Sequence, residues 1–167
     1  MLTGFHLRAA RAVCKLTTRD LGKIIGISHS AISLLEQTPN LEHIHCSSKT
    51  MESLLTFFHQ QNITFPNHHT VSLTLNTEKI MHSDKLTVFQ YRAAKSSTKL
   101  PLSKLSEKMK VSTTALIKLD HAAPTEYIKC LDRTVYLIKS CFERNGIVFM
   151  GDNSVSLTND PELLFSL

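Results

Sequence analysis

The stretch RAARAVCKLTTRDLGKIIGISHSAISLLE at positions 8–36 returns 84 positions later, at 92–120, as RAAKSSTKLPLSKLSEKMKVSTTALIKLD. Sliding the chain along itself by 84 residues, without a gap, gives 24 identities in 83 aligned pairs. They run well past the quoted stretch: Phe5 meets Phe89, Cys46 meets Cys130 and Phe58 meets Phe142. Ile63, Phe65 and the run Val71, Ser72, Leu73, Thr74 return as Ile147, Phe149 and Val155, Ser156, Leu157, Thr158. A gapless match through every kind of element implies one fold copied in tandem, with the joint near residue 84. Two copies are too few for a solenoid. The expectation is two units, 1–84 and 85–167, forming either two similar small domains or one pseudo-twofold body.

Within a unit the pattern is helical first and strand-like last. Phe5, Arg8/Ala9 and Ala12/Val13 fall at helical spacing and place one face of a first helix on a core. Thr17 is suited to cap a second helix, with Leu21, Ile24 and Ile25 as its apolar positions. Gly26 allows a turn at positive φ, Ser28 caps a third helix, and Ala31, Ile32 and Leu35 anchor it. An amphipathic segment over 51–58 follows, then two β-type runs, 63–65 and 71–75. Pro66-Asn67 and Gly151-Asp152-Asn153 are the turn signals, so each unit is expected to end in a hairpin. The fold class predicted is mainly α with short β-hairpins.

Charge is unevenly placed. The chain carries a formal +5; residues 1–37 hold five Lys/Arg against two acids and residues 85–121 hold eight against two, leaving about −4 for the rest. Positive charge on two corresponding segments is the footprint expected for a polyanionic partner, nucleic acid first. No apolar run approaches the ~20 residues of a membrane span, and the N-terminal residues lack a signal-peptide core, so a cytoplasmic chain with reduced thiols is expected. The four cysteines form no CxxC pair and read as small core residues.

The two quoted stretches resemble the Cro/CI repressor type of helix-turn-helix, the XRE family, through the Arg of the first helix, the short capped second helix, the Gly-Ile-Ser turn and the Ile-Ser-Leu-Leu-Glu run of the third. FFHQQNITFP…VSLTL and CFERNGIVFMGDNSVSLT are similar to the tail that follows the DNA-binding domain in many small bacterial regulators of this family. The resemblance implies two tandem repressor-like units that bind double-stranded DNA and regulate transcription on the nucleoid. It implies structural ion pairs Arg8–Glu36 and Arg92–Asp120. Ile27, Ile32 and Leu35, with Val111, Leu116 and Leu119, would bury the turns. The third helix would enter the major groove with His29, Ser30 and Ser33 in unit one and Thr113, Thr114 and Lys118 in unit two. Thr18 and Arg19, at the start of the second helix, would meet phosphates, as would Lys99, Lys104 and Lys118.

Unit two departs from the pattern. Lys110 stands where unit one has Gly26, and Pro101 replaces the cap Thr17, so the second helix there is expected to start later, near Ser103. Neither third helix offers the Arg, Asn or Gln that pairs bidentately with bases, so direct readout is expected to be modest. His43, His45 and Cys46, like His68 and His69, lack the spacing of a metal finger, and no nucleophile elbow, P-loop or carboxylate pair occurs. No metal, cofactor or catalysis is expected. A tandem copy supplies both halves of a twofold DNA reader in one chain, with the hairpins pairing across the axis and an imperfectly symmetric operator. The alternative is a protein-interaction module, an anti-repressor or antitoxin-like adaptor, that kept the fold and holds a protein partner or a second copy through its hairpins.

Overall fold

Most helices begin where a hydroxyl can take the first free backbone N–H. In the computed structural model, which describes residues 1–74 and 85–161, Thr3, Thr17, Ser28 and Ser47 cap α1 (Gly4–Val13), α2 (Thr18–Ile25), α3 (His29–Glu36) and α4 (Ser48–Gln60). The strands β1 (Ile63–Asn67) and β2 (Thr70–Leu73) follow. The same order returns as α5 (Val88–Ser97), α6 (Leu102–Met109), α7 (Thr113–Leu119), α8 (Asp132–Arg144), β3 (Ile147–Met150) and β4 (Ser154–Leu157). The joint near residue 84, the last residue of the 71–75 run and the apolar tail at 163–167 lie outside the described residues.

Three caps of the second half differ from the first, one being Leu131, which precedes α8 without a side-chain cap where Ser47 caps α4. Pro101 is the N-cap of α6 and makes no side-chain cap; its fixed φ of −64° leads directly into Leu102, so the helix starts at the position equivalent to Thr18 and not later. Gly26 closes α2 in the left-handed region at φ 79°, and Lys110 takes the same conformation at φ 55°, an arrangement that disfavours a side chain.

The strands form one antiparallel sheet in the order β1-β2-β4-β3. With about half of the chain helical beside one small antiparallel sheet, the class is mixed α/β. β2 pairs with β4 at Thr70↔Ser156, Val71↔Val155 and Ser72↔Ser154, so the central pair joins residues 84 apart. Hydroxyls join the outer pairs, Thr70 to Ser156 at 3.0 Å and Ser72 to Ser154 at 2.8 Å. Pro66 and Asn67 belong to β1, and the turn falls on His68 and His69. β1 is an edge strand whose register breaks between Thr64 and Asn67, and there a residue without an N–H is tolerated.

Buried apolar residues of both halves form one cluster, with Phe5, Leu7, Ile32, Phe58, Phe89, Tyr91, Leu116 and Phe142 completely or almost completely covered. Polar bonds cross between the halves. Arg92 Nη1 donates to the Val13 carbonyl at 3.1 Å, and Asn40 Nδ2 donates to the Ser97 carbonyl at 2.9 Å. Val13 and Ser97 are equivalent positions of the repeat, so each half supports the end of the other's first helix.

Gly4 marks a close approach of backbones. A Cβ there would fall inside van der Waals distance of the Thr38 and Pro39 carbonyl oxygens, neither of which can swing aside like a side chain. We therefore expect Gly4→Ala to cost about 3 kcal/mol, the upper part of the overpacking range. A urea midpoint unchanged from the parent chain would show that the 38–40 loop yields.

Candidate nucleic-acid interface

The third helix of each half has an inner face fixed by packing and an outer face left to solvent. In α3, Ile32 is completely buried and Leu35 nearly so, whereas His29, Ser30, Leu34 and Gln37 are exposed and Ser33 is half-buried. In α7, Leu116 and Leu119 are buried and Thr113, Thr114, Ile117, Lys118 and His121 face out. Positions 30, 33, 34 and 37, like 114, 117, 118 and 121, share one helix face by the i, i+3, i+4, i+7 rule. His29 Nδ1 lies 3.0 Å from Ser30 Oγ on this surface. Ser28 and Ser112 cap the two helices by accepting from the N–H groups of Ala31 and Ala115, at 3.1 and 3.2 Å. Each helix thus presents hydroxyls, which both donate and accept, on its exposed N-terminal turn.

At the start of α2, Thr17 and Asp20 form a reciprocal capping box. Asp20 is fully exposed, and its hydrogen bonds from Thr17 hold its carboxyl below the ordinary range. Arg19 is exposed there and Thr18 half-buried. Lys104 is exposed on α6, with its ammonium 3.7 Å from Glu107. Lys99 has a more specific place: its Nζ donates to the carbonyl of Gln37, at the end of α3 in the other half, at 3.4 Å. Lys15, its equivalent, donates to His121 at the end of α7, again at 3.4 Å. Two lysines thus meet the negative ends of the two outward-facing helices. Lys99 stands at the junction of the halves, where it reaches a carbonyl of the protein itself.

The expected pair Arg8–Glu36 takes a different form. Arg8, 7% exposed, donates to the backbone carbonyls of Glu36 and Thr38 and, through Nη2, to Asn40 Oδ1 at 2.7 Å. The Glu36 carboxylate, on a side chain only 12% exposed, is taken by Arg11, with Nε at 2.5 Å and Nη2 at 2.8 Å. The Arg8 guanidinium is engaged instead by those two carbonyls and the Asn40 amide oxygen. In the second half the expected pair is present, with Arg92 Nε 3.2 Å from Asp120 Oδ1, and Lys95 holds the other carboxylate oxygen. Arg11 and Lys95 are equivalent positions one helical turn beyond Arg8 and Arg92. Two basic residues at i and i+3, facing one acid in each copy, were the signal for them.

A second layer lies beneath the first helices. His6 sits at the third position of α1, where Thr3 N donates to its Nδ1 at 3.3 Å. Its Nε2 faces the carbonyls of Asn67 and Thr70 without reaching hydrogen-bond geometry to either. Gln90 replaces it in the second half and donates to the carbonyls of Gly151 at 2.5 Å and Ser154 at 3.4 Å. Gln90 thus fastens its first helix to its own hairpin by hydrogen bonds, whereas His6 packs on Phe65 of its hairpin, with ring centroids 4.8 Å apart. Burial disfavours the imidazolium of His6 and lowers its pKa to about 4.

Among the described residues no three His, Cys, Asp or Glu side chains gather as metal ligands would, and no helix is long and apolar enough to cross a membrane. Cys46 and Cys130 are half-buried, and burial pushes both thiols up. Compared with protein-family models, curated proteins and solved structures, the chain matches none.

Proposed function

We propose that this chain is a sequence-specific DNA-binding transcriptional regulator. Two helix-turn-helix units, 1–84 and 85–167, act in it as a covalent pseudo-dimer on adjacent half-sites. The observation that carries this reading is the pair of capped helices α3 and α7, each anchored by an Ile or Leu pair and turning its polar N-terminal turn to solvent. The β2–β4 register supports an approximate twofold axis beside Val71 and Val155, since Thr70 pairs with the counterpart of Ser72, and Ser72 with the counterpart of Thr70. His29, Ser30 and Ser33, with Thr113, Thr114 and Lys118, face base edges in this account. Thr18, Arg19 and Lys104 meet phosphates. Lys99 orients the end of α3 and reaches phosphate only by leaving Gln37. Binding needs no cofactor and no catalysis, and the chain works on the nucleoid in the cytoplasm.

Salt dependence tests the reading. Neutralising about six phosphates makes log K fall with log salt at a slope near −5, whereas a largely apolar protein interface leaves it nearly flat. Anisotropy titrations on a random-sequence duplex pool between 50 and 200 mM salt, about a thousandfold range for such a slope, separate the two. A second reading, an adaptor that holds a protein partner, draws on the edge strand β3, whose Val148 and Met150 are 38% and 42% exposed. A flat salt response would favour it.

A further inference from the structure

The outward faces of α3 and α7 are not uniformly polar. Leu34 is 67% exposed and Ile117 is 48% exposed, and each stands among the hydrophilic side chains named above: Leu34 beside Ser30 and Ser33, Ile117 beside Thr114 and Lys118. Neither serves the core. In each helix Ile32 and Leu35, or Leu116 and Leu119, already fill the inner face. Resting on the DNA-binding reading, we infer that Leu34 and Ile117 are specificity-determining residues that pack against thymine C5-methyl groups in the major groove.

Among base edges in that groove, the thymine methyl is the apolar feature, and it lies beside hydrogen-bonding atoms that hydroxyls can meet. A Leu flanked by Ser30 and Ser33 matches that juxtaposition. So does an Ile flanked by Thr114 and Lys118. The charge of the surroundings favours a nucleic-acid occupant over an apolar protein surface: residues 85–121 carry eight Lys/Arg against two acids, and residues 1–37 five against two. The two apolar residues are not equivalent positions of the repeat. Leu34 corresponds to Lys118, and Ser33 to Ile117. One residue along a helix is a rotation of about 100°. The methyl-sensitive thymines should therefore sit at different places in the two half-sites, with Lys118 free to meet a guanine or a phosphate where Leu34 meets a methyl.

Deoxyuridine deletes the methyl and leaves every hydrogen-bonding atom of the base pair in place, which gives a direct test. Duplexes are selected with the full chain from a random-sequence library, and the enriched duplex is remade with uracil at each thymine in turn. The expected result is a loss of about fourfold in affinity at one or two positions per half-site, the worth of one buried methyl group. Leu34→Ala should abolish that sensitivity in the first half-site only, and Ile117→Ala in the second only. Leu34→Lys should restore affinity without methyl sensitivity and steepen the salt slope by about one. Both positions are exposed, so thermal melts should match the parent chain. An enriched duplex that binds equally with thymine or uracil overturns the inference and leaves the DNA reading intact. No enriched duplex at all removes the DNA reading and the inference with it. A two-chain assembly in sedimentation that Leu34→Ala and Ile117→Ala dissolve would show the face to be covered by a second copy, and overturns the inference too.

Discussion

Replacing Arg92 by methionine is expected to lower stability by about 3–5 kcal/mol, the cost of breaking a buried charged network on one side. The guanidinium belongs to a side chain only 3% exposed and meets the Asp120 carboxylate at 3.2 Å. It also donates to the carbonyls of Asp120, Ala122 and Val13 at 2.6, 2.9 and 3.1 Å. Methionine fills similar space but leaves three carbonyls without that donor, and an unmet buried polar group costs more than the bond was worth. Because Val13 ends the first helix of the other half, the loss also loosens the packing of α1 on α5. Lys95→Met is the comparison. Lys95 shares the same carboxylate but its side chain is 26% exposed, so its loss should cost under about 1 kcal/mol. Urea midpoints at constant slope measure both. Equal losses for the two variants would contradict the role given to Arg92.

The second large effect is on pH. His6 has a folded-state pKa of about 4 against 6.5 for an unhindered imidazole, chiefly because burial penalises its charged form. Below pH 6.5 the unfolded chain takes a proton at this position, and the folded chain does not until about pH 4. Stability conferred by the neutral, buried ring is therefore complete above pH 6.5 and falls as pH drops from 6.5 to 4, by about 3 kcal/mol at the lower end. The N-terminal amine and His43 push in the same direction as burial. His6→Gln installs the residue that the second half carries at Gln90, and it should remove this part of the pH dependence. Carboxylates titrate in both chains, so the difference between parent and variant isolates the imidazole. Parallel stability profiles from pH 7 to pH 4 would contradict the account.

Much of the fold was legible because the chain states it twice. Thr17, Ser28 and Gly26 stand at helix boundaries read from residue type alone, since caps and positive φ depend on local chemistry. Tertiary geometry decided the rest. Pro66 and Asn67 have turn composition, yet an edge strand with a register break absorbs them. Ile24 has helical spacing but is 49% exposed, because Leu21 and Ile25 already meet the core. The exchange of partners among Arg8, Arg11 and Glu36 follows from the Glu36 and Thr38 carbonyls and the Asn40 amide taking the Arg8 guanidinium, which spacing does not encode. His6 carries no signal in the sequence, because a histidine at the third position of a helix shows its role only once the hairpin lies beneath it. For the candidate interface, the outward positions of α3 and α7 followed from helical periodicity. The exposure of Leu34 and Ile117 did so only when their neighbours were seen to fill the core.

The central claim is that two unlike heads on one chain read one duplex. Selection of enriched sequences from a random duplex pool tests it most directly, with the parent chain, with His29 and Ser30 changed to Ala, and with Thr113 and Thr114 changed to Ala. The account predicts a bipartite motif with two non-identical half-sites about one helical turn, ~34 Å, apart, each double variant erasing its own half. No enriched motif, or one motif that both double variants leave unchanged, would contradict it.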